Sequence, residues 1–146
     1  MDLSREAKIV SGITLLVIPT IMFGGLTLLG ILTTGMAGIS PGKMVLNGTQ
    51  SALFRAGHAH AGVWVALSLV IQVLLDSATL SAKLKWLARI AAPLAAVGVS
   101  GGFFGLAYSA SFKWLLYLGA VCLVAVVLLT GIGLLRRPDV SEHRVV

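Results

Sequence analysis

Four stretches of this chain are long and apolar enough to cross a lipid bilayer, which takes about 20 consecutive apolar residues. They run from about residue 9 to 32, 57 to 80, 86 to 110 and 114 to 135. Backbone placed in hydrocarbon must satisfy its own polar groups, so each stretch is predicted to be a helix. The 146 residues are 58% hydrophobic and only 11% charged, where a soluble domain carries about twice that charge. The composition therefore predicts one transmembrane domain over residues 1–146 in a lipid bilayer. Residues 33–53 hold Gly35, Gly38, Pro41, Gly42, Asn47 and Gly48, the composition of an outer loop. The other two connections are short, which makes the last three helices antiparallel neighbours. The expected fold is all-α, an integral-membrane four-helix bundle with a tail at 136–146.

The net charge of +6 does not point to nucleic acid, because the basic residues flank apolar runs. They are better explained as topology signals and headgroup contacts. Arg5, Lys8, Lys83, Lys85, Arg89, Arg136, Arg137 and Arg144 fall on one side, against Lys43, Arg55 and Lys113 on the other. The bias of eight to three predicts both termini in the cytoplasm, with a bacterial or archaeal plasma membrane as the expected location. The lone Cys122 cannot form an intramolecular disulfide. The first apolar run is longer than a signal-peptide core, so no separate cleaved leader is expected.

Helix three is dense in small residues. Gly98/Gly102 and Gly101/Gly105 have the spacing that lets two backbones approach closely. Helix packing, within the chain or between copies in a homo-oligomer, is the first expectation. The alternative is a wall against which a flat cofactor lies beside Phe103, Phe104 and Tyr108. Pro19 and Pro93 interrupt helices one and three, which is tolerated where neighbours re-satisfy the freed carbonyls. Asn47-Gly48-Thr49 matches a glycosylation sequon and also fits a simple turn.

The candidate functional residues cluster at the start of the second segment, in Phe54-Arg55-Ala56-Gly57-His58-Ala59-His60-Ala61-Gly62. Ionisable groups in membrane segments are functional-site candidates, and imidazole is a frequent ligand of metals and haem iron. At about 100° per residue, His58 shares a stripe with Gly62, Val65, Leu69, Gln72 and Asp76, while His60 lies about 160° away with Trp64, Leu67 and Ile71. His58 should face the bundle interior and His60 another helix, a second copy or headgroups. Histidines two residues apart on a regular helix cannot grip one ion. Haem needs only one axial imidazole per chain, and Arg55 could pair with a propionate. His143 lies in the tail, across the membrane.

Arg55 to Gly62 resembles the start of the second helix in the large subunit of the haem-copper oxidase and nitric-oxide reductase superfamily, where a histidine ligates haem near the outer face. That resemblance implies a redox or gas-handling role with oxidoreductase chemistry, His58 and/or His60 as the metal ligands, and haem b as cofactor, with copper second. It also implies a quinone or another redox partner. This chain has no histidine in its third or fourth helix to complete an oxygen-reducing centre. Two other four-helix families fit less well. The membrane-associated eicosanoid and glutathione metabolism family has an Asn and Glu pattern where this chain has Gly57 and His58, and small multidrug exporters need an acidic residue in helix one. Two alternatives stay open: a channel or carrier lined by His58, Gln72 and Asp76, and a structural subunit of a larger membrane complex.

Overall fold

The computed structural model describes residues 3–33, 38 and 44–136. Helix α1 spans Arg5–Leu32, α2 Gly48–Ser77, α3 Ala82–Leu106 and α4 Lys113–Leu135, with a short 3-10 turn at Ala110–Phe112 leading into α4. The described residues are all-helical apart from turns and connections, and each of the four helices is long and apolar enough to cross a membrane. Large apolar side chains point outward, such as Leu16 at 79% and Leu118 at 69% exposure. Water would penalise that surface and lipid does not, so the helices belong in a bilayer.

The helix ends differ from those the composition predicts. Helix α2 begins nine residues before Gly57, so Gly48–Leu53 are helical rather than loop. The cause is a capping box: the Asn47 side chain accepts from the Gln50 amide at 2.8 Å, and the Gln50 side chain accepts from the Asn47 amide at 3.1 Å. The sequon asparagine is thus the N-cap of α2. Helices α1 and α3 start four residues earlier than expected, each on a serine cap, Ser4 and Ser81. Helix α3 also ends at Leu106, short of the predicted 110. Lys43, Arg137, His143 and Arg144, with the loop residues Gly35, Pro41 and Gly42, lie outside the described residues.

Helix α3 is the centre of the bundle. Ala88, Ala92, Ala95 and Ala96 on α3 are at most 2% exposed, and Ala88 and Ala92 pack with Ile71 and Leu75 of α2 and Val126 of α4. Its glycines bring α4 close. A Cβ on Gly98 would stand 3.3 Å from the Gly119 Cα, and one on Gly102 would stand 2.7 Å from the Leu116 backbone. A Cβ on Gly105 would overlap the Phe112 ring. Helix α4 therefore occupies the wall that a flat cofactor or a second copy would have needed. At the far end, Thr79 in the α2–α3 connection donates its amide to the Gly133 carbonyl at 2.7 Å and its hydroxyl to the Arg136 carbonyl at 3.2 Å. These bonds cover the carbonyls that a helix end leaves open.

Candidate functional site

The two histidines lie on different sides of α2. His58 turns its ring to α1: a Cβ on Gly25 would stand 2.7 Å from both Cε1 and Nε2 of His58. It is half-buried and makes no hydrogen bond to a described residue. His60 turns to α3, with its ring 4.7 Å from the Phe103 ring centroid and 6.0 Å from that of Trp64. Its Nδ1–H donates to the Ala56 carbonyl at 2.7 Å, and Nε2 makes no hydrogen bond to a described residue. One ion cannot be held by both rings. Among the described residues no group of three or more His, Cys, Asp or Glu could hold a metal ion.

His58 sits ten residues after Gly48, about 15 Å along the axis, and so lies deeper than the start of the helix. It lines a cleft of about 460 Å³ between α1 and α2, walled by Thr20, Gly24, Leu28, Phe54 and Phe104. A second cleft of about 260 Å³ opens on its other side, walled by Ile21, Met22, Val65 and Leu69. Thr20 and Thr27 of the first cleft return their hydroxyls to their own helix, donating to the Val17 and Phe23 carbonyls. That leaves the imidazole as the one titratable group among the described residues that line this otherwise apolar space. Phe54 and Phe104 wall one end of the cleft, with ring centroids 5.3 Å apart, and the exposed Tyr108 ring, outside the lining, stands 6.0 Å from that of Phe54. Arg55 is exposed beside this end.

Gln72 and Asp76 belong to a different cluster, at the other end of α2. Gln72 is fully buried and donates from Nε2 to the Arg89 carbonyl at 3.0 Å. That carbonyl is the one Pro93 leaves without its helical N–H, four residues on. Arg89, 3% exposed, donates to the Gln72 carbonyl at 2.9 Å, to Gln72 Oε1 at 3.4 Å and to the Ser4 hydroxyl at 3.2 Å, and pairs with the Asp76 carboxylate. The Ser4 amide donates to Asp76 Oδ2 at 2.9 Å, and the Lys85 ammonium to the Asp76 carbonyl at 3.2 Å. The cluster ties the start of α1 to the end of α2 and the start of α3.

Sequence reasoning grouped His58, Gln72 and Asp76 on one polar stripe. Fourteen residues, about 21 Å along the helix, separate His58 from Gln72, and the stripe between them is Gly62, Val65 and Leu69. It also missed Arg89 as a buried partner, counting it as a loop charge. The signal was present in Arg89 and Pro93 four residues apart on α3, facing Gln72 and Asp76 four apart on α2. No protein-family profile, curated protein or solved structure matches this chain.

Proposed function

We propose that this is an integral-membrane binding protein for a lipophilic cofactor, seated in the α1–α2 cleft with His58 as its titratable anchor, in a redox or gas-handling role. The observation that carries this is an imidazole without a hydrogen-bond partner among the described residues, on an apolar cleft within the roughly 300–1,000 Å³ range of small-molecule sites. Haem b ranks first because an imidazole on an apolar cleft suits its iron. The ring turns its Cε1–Nε2 edge to Gly25, so ligation through Nε2 requires α1 to stand further off or the ring to turn. A quinone, accepting a hydrogen bond from the imidazole, is the second candidate. His60 has its Nε2 available but belongs to the α3 side and is not part of this cleft.

The carrier alternative is weaker on this geometry, because Gln72 and Asp76 are committed to Arg89. The visible spectrum of the detergent-purified chain, expressed with haem supply, together with an organic extract, is the test. A Soret band lost in His58→Ala supports haem, and an extracted quinone lost in the same variant supports the second candidate. Neither cofactor in the wild-type protein sinks the proposal.

We place both termini on the cytoplasmic side. With Arg89 assigned to the buried pair, the basic residues stand at seven against three, and the bias holds.

A further inference from the structure

A second cleft, of about 500 Å³, opens at the end of the bundle opposite the His58 site, between the starts of α1 and α3. Ser4 and Glu6 form one wall, Lys85, Trp86 and Arg89 the other, and Asp76 its floor. We infer that this cleft binds the headgroup of an anionic phospholipid, an assignment independent of the one made for His58.

Three features favour that occupant. The Asp76–Arg89 pair compensates itself, which leaves Lys85 and Glu6 as the charges presented to a ligand; Lys85 spends one hydrogen bond on the Asp76 carbonyl and has two ammonium hydrogens left for a phosphate. Arg89 is 3% exposed and lines the cleft, and its Nε–H has no partner among the described residues while its other donors are taken. Arg5, Lys8, Lys83 and Arg136, exposed at the same end though outside the cleft lining, add positive charge, which attracts anionic lipid. The walls continue as lipid-facing surface. On the face of Trp86, 51% exposed, follow Ile90 and Leu94, and on the face of Glu6 follow Ile9 and Ile13, all exposed. A phosphate on Lys85 and Arg89 would leave its acyl chains along these side chains, with Trp86 at headgroup level. Glu6 repels a bare anion but accepts hydrogen bonds from headgroup hydroxyls, which favours a glycerol headgroup over phosphate alone.

The test is native mass spectrometry of the full chain extracted from bilayers of equal phosphatidylglycerol and phosphatidylcholine. Wild-type protein should retain phosphatidylglycerol with about fivefold enrichment, the contribution of one basic residue near a membrane surface. Lys85→Gln should bring the ratio back to that of the bilayer, while Lys85→Arg and Lys8→Gln should preserve it. Equal retention of the two lipids by the wild-type chain overturns the assignment whether or not any variant folds. Equal losses in Lys8→Gln and Lys85→Gln would reduce it to diffuse surface charge and overturn it too. Displacement of the lipid by inorganic phosphate would assign the site to free phosphate instead.

Discussion

Arg89 shows how one residue changes role with its surroundings. In the sequence it is a basic residue near a helix start, the type that sets topology. In the fold it is buried against Gln72, Ser4 and Asp76. Desolvating a guanidinium is costly, and the bonds from its two terminal nitrogens to Gln72, Ser4 and Asp76 offset that cost. Pro93 supplies part of the reason for the arrangement, since it frees the carbonyl that the Gln72 amide takes. A double-mutant cycle should reveal the coupling. Gln72→Leu should lower stability in micelles, and Pro93→Ala should reduce that loss by about 1 kcal/mol, because an amide at position 93 serves the same carbonyl. Strictly additive unfolding free energies would mean that Gln72 does not act through the freed carbonyl.

At the scale of elements, the small-residue run in helix three reads as a close-packing surface, and the structure shows which glycines do the packing. A Cβ on Gly102 meets Leu116 backbone at 2.7 Å, whereas one on Gly101 finds only a flexible Leu115 methyl at 3.8 Å. Gly102→Ala should therefore cost about 1–3 kcal/mol through displacement of α4. Gly101→Ala should be close to neutral. Thermal unfolding of the two variants side by side checks this, and equal losses would show that the α3–α4 contact is not the one described. Gly25 sets a comparable limit on the α1–α2 interface, where the His58 ring uses the space a methyl would fill. The segment pattern located these helices, but the start of α2 was hidden because Asn47-Gly48-Thr49-Gln50 has loop composition and acts as a capping box.

For the whole molecule, the start of α1 and the end of α4 lie at one end of the bundle, joined through Ser4, Asp76, Arg89, Thr79 and Gly133. Reporter fusions after Arg136 and before Ser4 should both report the cytoplasm. Reporters on opposite sides would contradict the antiparallel bundle, and both outside would reverse the orientation. By itself the sequence determined what local chemistry can determine. Apolar length specified four membrane helices, helical periodicity separated His58 from His60, and glycine spacing marked α3 for close packing. Tertiary structure alone decided which neighbour each face meets. It assigned Gly98 and Gly102 to α4, turned His58 onto Gly25, and drew Arg89 out of the loop charges into a buried pair. The physical reason is that burial, ion pairing and the satisfaction of a proline-freed carbonyl depend on groups far apart in the chain, and Ser4 meets Arg89 only once three helices have packed together.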